Sequence, residues 1–588
     1  MGIFDSDYSL PSLPVPDIEN TCIRLTQSIK PLVSPEVWAK TLTAIEKLPS
    51  QAGALQDLLL KHRDSLRFNS SWLRPLWDDV YLSYRGTLPV NMNYCYEFDG
   101  KRWGEYPLAA LIASLCRVIG EIRDGSLKAE ATKAGFLSMD ALLNVFYTRI
   151  PSPVRDVLYS PQLAAPLSVA VACKGRWFIM SAVNEQGKPL PPPSIWEALC
   201  TIKKQAARQT DQTGEAVPVG SLTAAERPNA AKLQDELSVN PMNRMNLSSI
   251  ANCVFAVCLD DEASGDDFAA SLVGGDSANR WFDKSLQIVS GPEQRLGVNL
   301  EHSGCDGSMW LYVLNRADSI LCEDGFASSF EKASFEKASS AEGAAHVRAL
   351  QWNIGKDLAA SLNNVRETFA NTMKSMTIKQ RSITSVSKNI IKPKNCSPDA
   401  FVQMLYQAAY YKEKRFLPSV YEAVSTRAFY QGRTECARPV TEASKAFITS
   451  LYEGGESAQA LLEKFRLAEQ AHVQGLGHAQ KAQGAERHIS GLQYMHAMYS
   501  GDIHKPDIFD DEGFRTLKND VLSTSSVTAP YIEFFGFAPV VQEGLGLGYG
   551  LRDDSLAMMV CAYEKSGIKP DTFLDNMEEA AKRFLEIL

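Results

Sequence analysis

The hydrophobic and polar residues of this chain recur with two periods, and each period predicts one kind of element. In IENTCIRLTQSIKPL (18–32) and VWAKTLTAIEKL (37–48), apolar residues return every three or four positions, which is typical of amphipathic helices. We therefore expect residues 8–150 to be mainly helical. Strand-like runs follow at 167–183 and 252–260, where apolar and β-branched residues are concentrated.

The C-terminal half repeats this mixture of patterns. Helical spacing extends from about Arg348 to His496, strand-like runs occur at 530–541 and 556–563, and the last helix includes NMEEAAKRFLEIL at the C-terminus. Helices and strands in both halves favour an α/β fold.

A segment of small polar residues marks the clearest boundary. Residues 324–345, DGFASSFEKASFEKASSAEGAA, repeat SFEKA almost in tandem and form a poor core. Because 588 residues are too many for one core, we predict an N-terminal domain at 1–345 and a C-terminal domain at 346–588. Roughly the first 90 residues should be helical and able to pack on the other domain.

Composition and charge exclude several classes of protein. Hydrophobic residues make up 45% and charged residues 22%, as in ordinary globular proteins. The net charge of -9 and the lack of a long basic run argue against nucleic-acid binding. No apolar stretch reaches the roughly 18 residues of a membrane span. The 12 cysteines include no CxxC pair, which favours reduced thiols and a cytoplasmic location over disulfides or zinc.

Four histidines near the end of the long helical region could be taken for a metal site, and they are His472, His478, His488 and His496. They lie on polar helical faces without matching carboxylates, so we expect them to be solvated and predict no metal. The glycine-rich segment 544–550 lacks the GK[ST] of a phosphate loop. We predict a tight turn there.

The candidate chemistry begins at a predicted hairpin, SLQIVSGPEQRLGVNLEH (285–302), which turns at Ser290-Gly291-Pro292. His302 ends it, and Asp306 follows four residues later. Imidazole titrates near neutral pH and can take the proton of an attacking hydroxyl, while a carboxylate can orient the ring. This spacing alone fits equally a strand-end histidine capped by an aspartate. A second alternative makes Cys305 a nucleophile.

A cluster of hydroxyls provides a second candidate. The residues LSTSS (522–526) could donate hydrogen bonds to the oxyanion of a tetrahedral intermediate. Taken alone, the cluster is equally well explained as a solvated turn.

Seven segments, in this order, match the carnitine/choline O-acyltransferase family, and they are PLVSPEVWAK, WLRPLWDDVYLSYRG, EHSGCDG, SPDAFVQMLYQAAYY, GRTECARP, ERHISGLQ and LSTSS. The chain therefore resembles that family over nearly its whole length. The resemblance implies two domains of chloramphenicol-acetyltransferase-like topology, with an active-site tunnel at their interface. It also implies that His302 is the catalytic base, that Asp306 orients it and that Ser525 stabilises the oxyanion.

The resemblance assigns further residues to the donor and acceptor sites. Lys388 and Lys392 would hold the 3′-phosphate of coenzyme A, with Asp399 near the same nucleotide. The expected acceptor residues are Tyr421, Thr434, Arg487, Ser523 and Phe535. The first three would bind the carboxylate of carnitine, and Phe535 would line the trimethylammonium pocket. Since enzymes that act on choline replace that arginine with a neutral residue, Arg487 argues against choline.

One departure from the family pattern bears on the acyl group. Glu533 falls at the expected floor of the acyl pocket, where relatives carry Met or Gly. A carboxylate there would be costly beside an aliphatic tail, so we expect an acyl group with hydroxyls or a different path for it.

These features predict an O-acyltransferase that moves an acyl group from a pantetheine thioester to a small alcohol. Because of its departures, the chain resembles the C-terminal acyltransferase domain of fungal highly reducing polyketide synthases, which releases a chain from an acyl-carrier protein, here as an ester of a polyol. The alternatives are a stand-alone carnitine acyltransferase that uses acyl-coenzyme A, and an inactive module that binds coenzyme A or an acyl-carrier protein. We expect a monomer without a tightly bound cofactor.

Overall fold

The computed structural model describes residue 4 and residues 7–66, 70–161, 166–184, 186–260, 267–323, 345–499, 501 and 503–588. Of the predicted junction, residues 324–344 therefore lie outside the described residues. Within the described part of the chain, no helix combines the length and the apolar character needed to cross a membrane.

The α-helices are numbered in chain order as α1 Ile18–Ile29, α2 Pro35–Leu66, α3 Leu73–Leu82, α4 Pro107–Asp124, α5 Pro192–Thr213, α6 Arg227–Ser238, α7 Pro241–Asn252, α8 Asp267–Val273, α9 Gly307–Leu321, α10 Lys356–Lys374, α11 Lys388–Ile391, α12 Pro398–Lys414, α13 Glu442–Glu453, α14 Ala458–Gln480, α15 Glu486–Met498, α16 Glu512–Lys518 and α17 Pro570–Ile587.

The strands are β1 Tyr94–Phe98, β2 Ala131–Thr132, β3 Gly135–Phe136, β4 Thr148–Ile150, β5 Val157–Tyr159, β6 Ser168–Cys173, β7 Arg176–Ser181, β8 Ala256–Leu259, β9 Leu286–Ser290, β10 Leu296–Leu300, β11 Val347–Ala349, β12 Met376–Ile383, β13 Val420–Ser425, β14 Thr434–Ala437, β15 Leu522–Ser526, β16 Ile532–Phe537, β17 Leu545–Leu551 and β18 Leu556–Tyr563.

Two large mixed sheets organise the described residues and confirm the predicted α/β class. The larger sheet has the order β11-β7-β6-β8-β9-β10-β1-β16, and the smaller one has the order β12-β18-β17-β15-β13-β14. Helices α4, α5 and α9 pack against one face of the larger sheet and build its main core. Helices α12 and α17 cover the smaller sheet with a second core.

One expectation about the C-terminal half is wrong. The region from Arg348 to His496 is not continuously helical, because strands β12, β13 and β14 interrupt it. Strand β12 alternates buried and exposed residues at Met376–Ile378, which is a strand period that a helical reading of the whole region overlooks. The predicted helices of the first 90 residues are confirmed as α1, α2 and α3.

Strand β16 follows residue 345 in the chain but pairs with β1 in the larger sheet. Strand β11 does the same at the opposite edge, so the larger sheet takes strands from both sides of the predicted boundary.

The prediction of a tight turn at 544–550 is also wrong, because residues 545–550 belong to strand β17. A Cβ on Gly548 would lie 2.1 Å from the carbonyl oxygen of Phe535. Glycine is therefore required where the backbones of β16 and β17 touch.

We expect Gly548→Ala to lower the midpoint of thermal unfolding, because its methyl group must displace the backbone of β16. The cost should be about 1–3 kcal/mol, as for other overpacked sites. Gly477→Ala is the matched control, since nothing lies within 4 Å of its added Cβ and alanine favours a helix. Differential scanning calorimetry of both variants tests this, and an unchanged midpoint for Gly548→Ala would contradict it.

Candidate active site

The predicted hairpin around Ser290 is confirmed as the antiparallel pair β9 and β10. His302 lies two residues beyond β10, and its side chain is 31% exposed. Its ring packs against two tyrosines, with centroids 5.5 Å from Tyr81 and 5.0 Å from Tyr94. The hairpin therefore presents an imidazole at the end of a central strand, with one side open.

Asp306 lies near His302 but does not hydrogen-bond to it. The gap between His302 Nδ1 and Asp306 Oδ1 is 3.7 Å, and this buried Nδ1 has no hydrogen-bond partner among the described residues. Arg433 instead donates to both oxygens of Asp306, at 2.7 and 3.1 Å. The carboxylate therefore acts on the imidazole through its charge rather than through a direct hydrogen bond.

Arg433 also holds the backbone of residues 301–306, the candidate catalytic loop between β10 and α9. It is buried and donates to the carbonyl oxygens of Ser303 at 3.2 Å and His302 at 3.3 Å. Because it immediately precedes β14 of the smaller sheet, it joins that sheet to the loop that follows β10. Sequence reasoning cited its motif, GRTEC, but took only Thr434 from it.

A second buried network supports the same loop from behind. Arg149 is fully buried and donates to Glu301 at 3.1 Å and to the hydroxyl of Ser303 at 2.7 Å. Ser303 in turn donates to Glu301 at 2.6 Å. Buried hydrogen bonds and an ion pair thus fix Glu301 and Ser303, the residues on both sides of His302. The side chain of His302 itself is partly exposed.

Burial and neighbouring charges together lower the pKa values of both His302 and Asp306. Burial lowers the pKa of His302 below 6.5, Asp306 opposes this shift, and Arg433 adds to it. Burial alone would raise the pKa of Asp306, but Arg433 and His302 outweigh burial and hold it below its ordinary value. At neutral pH, His302 is therefore a neutral base beside an ionised carboxylate.

The residues LSTSS form strand β15. They are not the solvated turn that would also explain this sequence taken alone. Side chains alternate along a strand, so Ser523 and Ser525 share one face and Thr524 takes the other. Thr524 donates to the carbonyl oxygen of Tyr421 at 2.8 Å and accepts from Gln403 at 2.9 Å. Ser523 is level with Tyr421 on the neighbouring parallel strand, which brings it to the predicted acceptor residues.

The predicted acceptor residues Tyr421, Thr434 and Arg487 lie together. Arg487 donates to the Tyr421 hydroxyl at 3.3 Å and to the Thr434 carbonyl oxygen at 3.2 Å. Its guanidinium lies 4.8 Å from the ring of Trp77, and the guanidinium of Arg433 lies 5.0 Å from the same ring. Trp77 also stacks on Tyr81, so a chain of contacts joins Arg487 to His302.

Sequence reasoning overlooked Trp77 and Tyr81 as site residues. Both belong to WLRPLWDDVYLSYRG, which was matched to the family only as a block. The cue in the sequence was their spacing of four residues, which places two aromatic rings on one face of a helix.

Phe535 belongs to an aromatic cluster that reaches His302 through Tyr94. Its ring packs edge to face against Tyr96 at 5.5 Å and Tyr94 at 6.3 Å. Tyr94 is the residue that contacts the imidazole. Strand β16 therefore brings Phe535 to the catalytic loop.

Glu533 is exposed, two residues before Phe535. Its carboxylate is nevertheless partly desolvated, and burial, together with the charges of Glu97 and Asp99, raises its pKa. It lines a groove of about 930 Å³ together with Lys388 and Arg552. Lys388 begins α11 and Lys392 follows one turn later, so the two lysines are neighbours on one surface. Ser387, the residue before Lys388, has an extended backbone with φ of −157°, which any residue can adopt.

Asp399 is already engaged by protein groups. It accepts hydrogen bonds from His472 at 2.9 Å and from the Tyr549 hydroxyl at 2.6 Å. Glu422 lies beside them, and the ligand atoms of Asp399, Glu422 and His472 are within 4.8 Å of one another, a spacing that would also suit a metal ion. Burial and Asp399 raise the pKa of Glu422 well above its ordinary value, which favours its protonated form.

Two of the four histidines expected to be solvated are buried. His472 is 5% exposed and His488 is fully buried. The sequence pattern failed because each ring faces polar groups that come from distant segments: Asp399 for His472, and Thr21 and Gln56 for His488.

Comparison with known proteins gives a consistent result. Residues 13–579 match the family model described as Choline/Carnitine o-acyltransferase. The carnitine O-palmitoyltransferase 2 of Xenopus tropicalis is 27% identical, over 95% of this chain and 89% of that protein. The mitochondrial carnitine O-acetyltransferase of Saccharomyces cerevisiae is also 27% identical, over 100% of this chain and 88% of its own. A solved trichothecene 15-O-acetyltransferase from Fusarium sporotrichioides is 11% identical over 86% of this chain and 93% of that chain, with a TM-score of 0.38, a likeness too distant to bear on function.

The lowered pKa of His302 predicts the acid side of the pH–rate profile. As pH falls through that pKa, the imidazole becomes protonated and can no longer accept the substrate's proton. We expect kcat/KM to be level at neutral pH and to fall with a midpoint below 6.5. Asp306→Asn should move the midpoint lower still, because the carboxylate raises this pKa. Initial rates between pH 5 and 8 test both, and a midpoint above 7 would contradict the assignment.

Proposed function

The chain belongs to the choline/carnitine O-acyltransferase family, and we propose that it transfers an acyl group from acyl-coenzyme A to the hydroxyl of a small acceptor that carries a carboxylate, such as carnitine. Family membership makes the protein an O-acyltransferase. The acceptor class, the donor and the roles of individual residues belong to the proposal.

Arg487 is the observation that supports a carboxylate in the acceptor. Its guanidinium keeps its charge at any working pH. It donates hydrogen bonds to a neutral hydroxyl and to a carbonyl oxygen, and no ion pair joins it directly to a carboxylate among the described residues. Glu435 and Glu486 favour its charged form from a distance, but a desolvated charge without a directly bound counter-ion is costly. The carboxylate of the acceptor would supply that counter-ion.

His302 would act as the base. Its neutral imidazole takes the hydroxyl proton of the acceptor while the oxygen attacks the thioester carbonyl. Ser525 would donate a hydrogen bond to the oxyanion that forms. When the carbon–sulfur bond breaks, the imidazolium returns the proton to the departing thiolate. The products are the ester and the free thiol, and His302 ends in its starting state.

The donor would approach along the groove that Lys388 lines. Two ammonium groups one helical turn apart form a clamp for the 3′-phosphate, and no ion pair occupies either lysine among the described residues. Asp399 has both carboxylate oxygens in hydrogen bonds with His472 and Tyr549, so we assign it a supporting role beneath this site.

A second candidate is the release of a polyketide chain from an acyl-carrier protein as a polyol ester. One observation favours it. The same groove has Glu97, Asp99, Glu533, Asp553 and Asp554 among its lining residues. Such a polar lining suits a hydroxylated acyl chain better than an aliphatic one. The cytoplasmic location, the monomeric state and the domain boundary at 345 stay predictions.

Replacing the proposed base should abolish turnover without unfolding the protein. We expect His302→Ala to lower kcat roughly 100- to 10,000-fold, and the far-UV circular dichroism spectrum should not change. His504→Ala is the matched control, because His504 is exposed. Thiol release from acyl-coenzyme A measures both variants. Turnover by His302→Ala at the wild-type rate would refute the mechanism, and a wild-type protein that shows no thioester loss with any alcohol acceptor would favour the inactive module.

Removing the proposed carboxylate partner should weaken acceptor binding. We expect Arg487→Gln to raise KM for carnitine roughly 10- to 100-fold, as for a lost charged hydrogen bond, and to leave KM for acyl-coenzyme A unchanged. Arg515→Gln, at an exposed arginine, is the control.

Mass spectrometry of esters formed from acyl-coenzyme A and acyl-carrier protein, each with carnitine and with polyols, decides between the candidates. Esters formed only from the carrier and a polyol would replace the first candidate by the second.

A further inference from the structure

The first turn of α15 sends three consecutive side chains to three parts of the molecule. Glu486 accepts a hydrogen bond from Arg438 at 2.7 Å, Arg487 reaches Tyr421, and His488 contacts Thr21. Consecutive residues of an α-helix point about 100° apart. Fixing the residues on both sides of Arg487 therefore fixes the rotation of the helix about its axis, and with it the direction of the guanidinium.

His488 is held by both of its ring nitrogens. Its Nδ1 lies 2.7 Å from the Thr21 hydroxyl, and its Nε2 lies 2.6 Å from Oε1 of Gln56. The Gln56 amide nitrogen donates to the carbonyl oxygen of Pro16 at 3.0 Å, so its oxygen must face the histidine. His488 therefore carries its proton on Nε2, and the Thr21 hydroxyl donates to Nδ1.

This chain of hydrogen bonds is buried and neutral. His488 is fully buried and Thr21 is 1% exposed. Burial lowers the pKa of His488 to about 4, so the ring stays uncharged at the pH at which enzymes are assayed. Removal of the Thr21 hydroxyl would leave a buried nitrogen without a donor, which is more costly than the loss of an exposed hydrogen bond.

Backbone packing holds the same helix one turn later. A Cβ on Gly491 would lie 2.8 Å from the Trp72 ring and 2.9 Å from a methyl group of Leu59. Helices α1, α2 and α15 share one apolar core. The N-terminal helices therefore contact α15 through both its backbone and its polar side chains, next to the residue that faces the acceptor.

We propose that Thr21 and Gln56 are positioning residues for Arg487, and that they act through His488 to aim its guanidinium at the carboxylate of the acceptor. The inference rests on the proposed function, in which Arg487 binds that carboxylate. The N-terminal helices are then part of acceptor recognition, although Thr21 and Gln56 reach Arg487 only through His488.

Steady-state kinetics with carnitine and acyl-coenzyme A test the proposal. Thr21→Val keeps the shape of the side chain and removes its hydroxyl. We expect it to raise KM for carnitine about 10-fold, as for one lost hydrogen bond to a buried group, with kcat and KM for acyl-coenzyme A changed less than about twofold. Gln56→Leu should act in the same way. Thr21→Ser restores the hydroxyl and should restore KM.

Thr41→Val is the matched structural control. Thr41 is fully buried on α2, and its hydroxyl donates to Asp511, before α16, at 2.8 Å. Its loss should lower the thermal midpoint as much as Thr21→Val does, but it should leave KM for carnitine unchanged. If Thr41→Val raises that KM as much as Thr21→Val, or if Thr21→Val raises it not at all, the positioning role is refuted.

A double-mutant cycle separates this inference from the proposed function. In an Arg487→Gln background, Thr21→Val should add nothing to KM for carnitine, because the group that it positions is gone. An equal further rise would show that Thr21 acts elsewhere and would overturn the inference alone. If Arg487→Gln by itself leaves KM unchanged, the proposed function fails and the inference fails with it.

Discussion

The candidate site depends on one buried ion pair, between Arg433 and Asp306. The two groups come from different parts of the chain, one before β14 of the smaller sheet and the other before α9. A buried pair of this kind gains little over apolar packing, yet loss of one partner costs about 3–5 kcal/mol because the other charge stays buried. The pair therefore ties the loop that follows β10 to β14, at the edge of the smaller sheet. It also keeps a negative charge 3.7 Å from the imidazole.

This arrangement separates two tasks that one carboxylate performs in a simple catalytic triad. The shape of the catalytic loop is fixed by Arg433 and Arg149, which bind its backbone and its flanking side chains. The basicity of His302 is set by the balance between burial, the charge of Asp306 and the opposing charge of Arg433. Arg433 therefore contributes to both the geometry and the basicity, whereas the contacts of Arg149 act on the geometry.

Much of this could be read from the sequence, and the rest could not for physical reasons. The hairpin before His302 was predictable because its strand period and its turn lie within one segment. The family motifs also located Asp306 and Arg487. The partners of these residues were not predictable, since Arg433 and Trp77 are brought to them only by the tertiary fold. The glycine-rich strand β17 was misread for the same reason, because its glycines are required by β16, which precedes it in the chain but crosses it in space.

The pairing of β1 with β16 has a consequence for how the protein is made. A ribosome releases residues 94–98 long before residues 532–537. Until β16 is made, one edge of β1 keeps its hydrogen-bonding groups unpaired, and an exposed edge of this kind invites pairing with other nascent chains. The aromatic cluster that includes Phe535 can form only after β16 has emerged, so a chain that terminates before β16 carries the catalytic loop without this neighbour.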